Sequence, residues 1–590
     1  MNGARQSHDG SSLVHPVEIS QEKEHVSTHR DYVSPISDAE LPKAYFYSPL
    51  FVGSYAAQAF GFMSAVGVFA MAAPNLGKIN AEIGGPNSNI TWVAIVYTLM
   101  FGVGSALVGR VSDIFGRRWF FTTGAFLGVI GNIICSRAQN IPTLIGGMTL
   151  VGASASTQVL FATVIGELVP IKYRFVAGSG FYGLGAPFTV FSTKVGIVIA
   201  DNPGWRYIFY VMIITNGLST LCWYLFYRPP TFNMLHHGRE TVMQLLRHFD
   251  YLGFALFNGG FVLMMLGLSW GGSLYPWDST KVICTIVIGG VCLLVFIAYE
   301  LYFTPKEPYI PLNLFQKIQY DAACVTVTVS AMAYYGFSII WPTMAATLYP
   351  ASPSAAGWKA CAGAGMFSLG SFVGLALASY IRNLRYFLII TMSCGTAFAS
   401  AVAVGTQYNQ AVTIAMIALG CFFLGVVDSI SLTLTSIEVD DQNDIGTAVG
   451  IAASIRSLGG SVASTIFTTV LTNRLKTTIP ALVPSALVTA GLPATSVASF
   501  LQAMQGLLPF SEVTGLNPKI LAVGTSAYQT ASAQAYRTCF LVSIAFSGLG
   551  VVASFFCADL NPEMDHVVAK ELHGRTDEKR LEKESAEVSP

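Results

Sequence analysis

Charge is what this chain most lacks. Only 11% of its 590 residues are Asp, Glu, Lys or Arg, against about 25% in soluble domains. With 53% hydrophobic residues and a mean hydropathy of +0.56, that scarcity excludes an ordinary soluble globule and implies a chain that crosses lipid repeatedly. The charges also cancel, 32 basic against 32 acidic, so nothing suggests a nucleic-acid partner. The ten cysteines stand singly, mostly within apolar runs, with no C-x-x-C and no Cys/His cluster; neither a disulfide framework nor a metal site is expected. Also missing are a Walker loop, which removes ATP-driven pumping, and any Ser/His/Asp arrangement for an enzyme. The first forty-odd residues are polar and carry His8, His15, His25 and His29. They lack the apolar core of a signal peptide and read as a disordered tail.

What is present in quantity is apolar sequence in pieces of membrane-crossing length, since about 20 helical residues span a hydrocarbon core of roughly 30 Å. Fourteen such pieces occur, near 49–73, 91–109, 119–136, 142–167, 175–199, 205–227, 251–270, 281–303, 321–348, 355–380, 387–405, 411–436, 447–471 and 537–557. An even number places both tails on one side. With the tails cytoplasmic, twelve basic residues fall in inner connections: Arg110, Arg117, Arg118, Lys172, Arg174, Arg228, Arg239, Arg247, Lys306, Lys317, Arg382 and Arg385. Five fall outside: Lys78, Arg137, Arg206, Lys281 and Lys359. The excess of basic residues fits cytoplasmic termini.

Between the second and third pieces lies GRVSDIFGRR, residues 109–118. Gly109 and Gly116 suit close approach or a positive φ. Asp113 can cap a helix or pair with an arginine, and Arg110, Arg117 and Arg118 can anchor the turn. The spacing of Gly109, Asp113, Gly116, Arg117 and Arg118 resembles the loop signature between helices two and three of the major facilitator superfamily. Arg382-Asn-Leu-Arg385 follows the tenth piece in the same way, a faint internal repeat.

Further stretches resemble one branch of that superfamily. They are PGWRYIFY (203–210), IGELVPIKYR (165–174), Trp341-Pro342 followed by Gly357-Trp358, SIRSLGG (454–460), and a linker from Arg228-Pro-Pro to Phe249-Asp-Tyr-Leu-Gly253. Together they are similar to the fourteen-span drug:proton antiporters, in particular the fungal trichothecene-efflux-pump-like group, with siderophore transporters as relatives. The resemblance covers about residues 45–560. It implies an all-α polytopic fold of two six-helix bundles plus two extra helices, alternating access and proton coupling, with no cofactor beyond the proton gradient. Two motifs depart from it. Met148 in LIGGM stands where many drug antiporters carry arginine, and Tyr182, Ala186, Val190 and Phe191 replace fifth-helix glycines.

The resulting division is a disordered cytoplasmic tail 1–47, a bundle 48–227, a linker 228–250 and two added helices 251–303. A linker 304–320, a bundle 321–557 with an external loop 472–536, and a cytoplasmic tail 558–590 follow. Pro480, Pro484 and Pro493 argue against a helical span within 472–536, where short helices on the outer surface are expected.

Charges at bilayer depth are costly and therefore mark function. Asp428, about two turns from the inner end of the twelfth span, is the proton-site candidate, with Ser429 or Ser431 as alternative partners. Arg456, in the thirteenth span, can pair with a carboxylate of the loop EVDDQND (438–444) or with cargo. Glu167, beside Lys172 and Arg174, is expected to form a gate or turn ion pair, and Lys194 and Glu300 to reach water. The first span has no acid. Tyr55, Gln58 and Gln158, with Tyr334, Tyr335 and Trp341, are candidates for a cavity suited to a bulky, amphipathic, uncharged ligand. Asn89-Ile-Thr91 is a glycosylation sequon on an outer loop.

The leading expectation is a proton-driven exporter of a small organic toxin, drug or metabolite. It would act as a monomer in the plasma membrane, or alternatively the vacuolar membrane. The rival is a siderophore-iron or other uptake symporter of the same fold. A transport-inactive sensor is the third reading.

Overall fold

A computed structural model describes residues 45–84, 90–229, 249–272, 274–303, 308–381, 383–439, 444–504 and 508–559, with short pieces at 36–37, 243, 247 and 567–568. Asn89, Arg239, Lys306 and Arg382 lie outside the described residues, as do the four histidines of the N-terminal tail and most of the 228–250 linker.

Among the described residues, fourteen helices are long and apolar enough to cross a membrane. The first is Pro49–Ala72, capped by the Ser48 hydroxyl, which accepts from the Phe51 N–H at 3.2 Å. Thr91–Phe115, Arg117–Ser136 and Ile141–Leu168 follow. Arg174–Asp201 and Arg206–Phe226 complete the first six. The added pair is Tyr251–Trp270 and Thr280–Phe303. The last six are Ile318–Leu348, Pro353–Ala378, Leu384–Ala401, Gln410–Leu434, Ile445–Thr489 and Pro518–Ser554.

Each set of six packs into a bundle. The two bundles meet where the fifth span lies along the tenth and the second along the thirteenth. The added helices pack on each other, and the seventh leans on the seam between the second and thirteenth spans. Phe261 and Met265 fill that seam against Leu99, and the Thr465 hydroxyl reaches the Leu268 carbonyl at 3.1 Å.

The longest departure from expectation is at residues 472–536. The thirteenth helix runs unbroken to Thr489 through Pro480 and Pro484, and the fourteenth starts at Pro518. Proline removes a helical donor, but it bends a helix without ending it when neighbours hold the flanking turns. Here those neighbours exist. Val483 and Leu487 pack with Phe500 of a short helix, Val497–Met504, and with Ile520, making a separate apolar core. The segment is therefore a helical hairpin standing on the last two spans.

Of the two charged residues expected to reach water, Glu300 is enclosed and Lys194 is not. Glu300 is buried and accepts from the Ile310 N–H at 3.4 Å. The linker that follows the eighth span folds back to cover it, so it does not reach water. Lys194 spends its charge on Ser354, donating to the backbone carbonyl at 2.9 Å and to the hydroxyl at 2.6 Å.

The first bundle is cross-linked by a buried polar network around Gln158. Gln158 Oε1 accepts from Trp223 Nε1 at 3.0 Å and from the Ser219 hydroxyl at 3.4 Å. Its Nε2 donates to the Phe121 carbonyl at 3.1 Å, and Gln58 Nε2 donates to the Gln158 carbonyl. Four helices are thereby joined at the point where the fourth span breaks, between Gln158 and Phe161. A buried donor left without its acceptor costs about 1–3 kcal/mol. Gln158→Leu should therefore lower the thermal midpoint of the detergent-purified protein by a few degrees, with transport per folded molecule retained. A selective loss of transport at unchanged stability would instead make Gln158 a cargo contact.

Candidate functional site

Three features occupy the interface between the bundles: a sealed face, a cavity and a buried ion pair. The sealed face carries GRVSDIFGRR. The second helix continues through Asp113 to Phe115, and the reversal is made at Gly116, whose φ is +90°. A side chain is strained in that backbone conformation. Gly109 lies where a Cβ would fall 2.4 Å from the Gly446 carbonyl, so the glycine is what lets the second and thirteenth helices touch.

Asp113 sits four residues before Arg117 and forms an ion pair with its Nη2. Its other oxygen accepts from the backbone N–H of Thr447 at 2.6 Å and from the Thr447 hydroxyl at 2.8 Å. Thr447 is the third residue of the thirteenth helix, so its N–H is one of the four that a helix start leaves without an intrahelical partner. Asp113 thus caps a helix of the opposite bundle, with a negative charge at the positive end of its dipole.

Arg117 continues the chain of charges. Its Nη1 lies 2.9 Å from Glu167, which is fully buried and also accepts from the Tyr227 hydroxyl at 3.4 Å. Arg117 is thus an ion-pair partner of Glu167, one the sequence did not point to. Arg174 is also fully buried, and it donates to three backbone carbonyls: Gly166, Val169 at 3.4 Å and, across the interface, Ser436 at 2.7 Å. Arg110 reaches Asp444 of the opposite bundle at 3.4 Å. Arg118 points outward, donating to the Tyr224 carbonyl at 3.2 Å with its guanidinium 5.7 Å from the Trp119 ring. Deeper in, the Ser454 hydroxyl donates to the Gly102 carbonyl at 2.7 Å. Four contacts between bundles, made by Asp113, Arg110, Arg174 and Ser454, close this face.

On the far side of that seal is a cavity of about 730 Å³. Its walls come from the far ends of several spans: Phe69, Ala73 and Pro74 of the first, Thr98 of the second, Pro342 and Thr343 of the ninth, Lys359 of the tenth. The thirteenth span contributes Ser457, Gly460, Ser461, Ser464, Thr465, Thr468, Thr469 and Thr472. The molecule is closed at the motif face and open at the opposite one. The walls are mostly apolar, with hydroxyls from several spans, most of them on the thirteenth, and one lysine.

Of the six residues expected to line a cavity, only Tyr335 is part of this wall. Tyr55 and Gln58 border a void of about 10 Å³ toward the motif face, and the Tyr55 hydroxyl donates to the Ala177 carbonyl. Gln158 is committed to the polar network. Tyr334 stacks against Phe367, with ring centres 4.4 Å apart. Trp341 is fully buried, its indole donating to the Lys359 carbonyl at 2.7 Å. Helical spacing put these groups on inward faces, but inward includes packed contacts as well as open space.

Beneath the cavity floor Asp428 and Arg456 form a two-pronged ion pair. Nε donates to Oδ1 at 2.9 Å and Nη2 to Oδ2 at 3.1 Å. The Ser330 hydroxyl adds a third hydrogen bond to Oδ1, at 3.1 Å. The carboxylate is 3% exposed and the guanidinium 12%. Arg456 therefore takes a carboxylate of the neighbouring span in place of one from the loop 438–444. Ser429 turns instead to backbone carbonyls of Ser371, Gly425 and Val426. The guanidinium lies 5.8 Å from the centre of the Tyr335 ring. Ser330, Thr447 and Tyr227 are partners that sequence reasoning missed. Each is an ordinary polar residue made relevant only by a neighbour far along the chain.

Among the described residues no group of His, Cys, Asp and Glu is arranged to hold a metal ion. The fold is that of the major facilitator superfamily. The proton:xylose symporter XylE aligns with a TM-score of 0.51 at 15% identity, covering 90% of this chain and 99% of that one. The human organic anion transporter MFSD10 aligns with a TM-score of 0.50 at 9% identity, covering 84% and 99%. In sequence, the trichothecene efflux pump of Fusarium sporotrichioides is 28% identical over 91% of each chain. That of Trichoderma arundinaceum is 26% identical over the same shares, and an MFS-type transporter of Penicillium rubens, prx5, is 27% identical over 74% of this chain and 80% of its own. Residues 14–589 match the family described as fungal trichothecene efflux pump, and the chain belongs to that family of membrane transporters, which are not enzymes.

Proposed function

We propose that this chain is a proton-coupled exporter of an uncharged, oxygen-bearing organic metabolite of the trichothecene kind, working by alternating access. The observation that carries the reading is the juxtaposition of a largely apolar, hydroxyl-studded cavity with a buried Asp428–Arg456 pair just below it, in a molecule sealed at the opposite face. A cavity of this size suits a small ligand, and its character suits a compound with an apolar skeleton and a few oxygens. The chain acts as a monomer in the plasma membrane. The motif face and both tails are cytoplasmic, as the distribution of basic residues favours. The arrangement described here is then the outward-open one.

Asp428 is the proton site. As a carboxylate it is held by Arg456 and Ser330; protonated, it no longer needs Arg456, and the twelfth and thirteenth spans are freed to move apart. Breaking such a buried pair is worth about 3–5 kcal/mol, enough to change which conformation prevails. Asp113, Arg117 and Glu167 form the latch that keeps the cytoplasmic face shut until that change occurs. Gly109 and Gly116 let the latch close, and Arg118 ties it to the membrane surface.

Inside-out vesicles with an acidic lumen test this directly. A trichothecene should accumulate in the lumen, and a protonophore should abolish the accumulation. Accumulation that survives collapse of both the pH difference and the voltage would remove proton coupling.

Two substitutions separate the roles. Asp428→Asn should abolish gradient-driven accumulation while leaving cargo exchange down its own gradient, because the cavity is intact. Gradient-driven transport at the wild-type rate in that variant would place the proton elsewhere. Asp113→Asn weakens two charge-assisted hydrogen bonds and an ion pair, on the order of 2–3 kcal/mol in all. Transport should fall at least about fivefold at equal membrane abundance. Undiminished transport would mean the capping contact does not govern the cycle.

A further inference from the structure

The ion pair and the cavity do not touch. Neither Asp428 nor Arg456 is a wall residue, whereas Tyr335 and Ser457 are. Any exchange of information between cargo and proton must cross those two side chains or the backbone that carries them.

Ser457 is unusual on its helix. Hydroxyls buried in apolar helices ordinarily bond back to a carbonyl one turn earlier. On this helix Ser464 does so to Gly460 and Thr468 to Ser464, while Ser454 and Thr465 reach neighbouring helices. The Ser457 hydroxyl is buried, and it has no hydrogen-bond partner among the described residues. A buried hydroxyl left in that condition costs about 1–3 kcal/mol, which a ligand oxygen at the floor would recover.

Tyr335 stands between the two compartments. Its side chain lines the cavity, and the Arg456 guanidinium lies over its ring, 5.8 Å from the centre. Its position depends on Gly460, where a Cβ would lie 2.3 Å from the ring. The ring is therefore seated against the thirteenth helix within a turn of Arg456, and it packs on Tyr334 at 5.2 Å.

We infer that Ser457 and Tyr335 form a cargo-sensing floor: Ser457 hydrogen-bonds a hydroxyl, carbonyl or ether oxygen of the cargo, and Tyr335 relays its presence to the Asp428–Arg456 pair. This rests on the proposed exporter reading and adds the coupling element to it. Cargo on the floor presses the Tyr335 ring toward Arg456, which keeps the guanidinium on Asp428, so the carboxyl gives up its proton to water. When cargo leaves, the ring gains room on the cavity side, Arg456 loosens, and Asp428 takes a proton. The groups facing the pair are Ser330, Tyr334 and Tyr335 from the ninth span and Tyr182 from the fifth. Asp428 is the carboxylate among them. Ser457 hydrogen-bonds cargo; the Tyr335 ring meets cargo by packing alone and acts through Arg456, as a positioning residue.

The test is proton release from the purified full-length protein in weakly buffered solution, read with a pH dye as a trichothecene is added, alongside binding measured by calorimetry. Wild type should release about one proton per trichothecene bound, as a single titrating carboxyl requires. Ser457→Ala should bind about fivefold more weakly with the same release per bound molecule. Tyr335→Leu should bind but release less than about a third as much, and Tyr335→Phe, which keeps the ring, should behave as wild type. Retained binding in Tyr335→Leu shows that the variant is folded; if it does not bind, the Tyr335→Phe and Ser457→Ala results decide. Full release from Tyr335→Leu, with release lost in Asp428→Asn, would overturn the relay and leave the exporter reading standing. Unchanged affinity in Ser457→Ala would overturn the floor contact. No release from wild type, or full release from Asp428→Asn, would overturn the reading beneath both.

Discussion

The contact on which the rest of the structure depends is one carboxylate at the start of a helix that is not its own. Asp113 belongs to the first bundle and caps the thirteenth span of the second through the Thr447 N–H. A helix start carries unsatisfied donors and a partial positive charge, and in lipid no water substitutes for the missing acceptor. When the bundles separate at this face, Thr447 must find another partner and Asp113 must be solvated. The contact is favourable in only one of two bundle arrangements, which is what a conformational latch requires. Its reach is extended by Arg117 and Glu167, which tie the Asp113 carboxylate to the inner end of the fourth span. A change at any of the three is felt by the others, because each is buried and none has a solvent alternative.

Glycine and hydroxyl residues make that latch geometrically available. Two helices that meet through Gly109, Gly446 and Gly450 are close enough for backbone contact, and no larger residue would let Asp113 reach Thr447. Above the latch the same two helices diverge, and the small residues of the thirteenth span change from contact surface to cavity wall. One helix thus serves as seal at one end and cavity wall at the other. The seventh span, lodged against this seam, closes it toward lipid without charged groups of its own. The added helix pair reads as lateral packing for the moving interface.

Much of the fold was legible because its signals are local. Apolar runs of sufficient length gave the fourteen spans, and GRVSDIFGRR marked its own turn. The thirteenth span was underestimated because Pro480 and Pro484 were weighed by their local effect, while the apolar residues that hold the helix across them, Phe500 and Ile520, are supplied from later in the chain. The site was legible only in its charged members. Asp428 and Arg456 announced themselves separately as charges in lipid, but 28 residues separate them and no sequence rule joins adjacent spans at a given depth. Of the aromatic candidates, all but Tyr335 lie away from the cavity wall for a related reason. Trp341 and Tyr334 lie on the same helix as Tyr335, and whether each meets space or protein depends on the facing helix, which the sequence does not specify.

The two halves are not electrically equivalent. In the first bundle Gln58, Gln158, Ser219 and Trp223 join four helices through neutral groups. In the second bundle the buried polar contact between neighbouring spans is the charged pair Asp428 and Arg456. A neutral network fixes four helices in one arrangement and does not respond to pH. A carboxylate–guanidinium pair can be broken by one proton. This division leaves four helices of the first bundle joined by neutral groups and sets the Asp428–Arg456 pair of the second next to a cavity wall that the second bundle helps to supply. On the proposed reading, cargo binding and proton binding act on the same pair of helices and need no signal carried across the bundle interface. In the proposed cycle the interface is left with the simpler task of having two positions, and the Asp113 cap is made in the one described here.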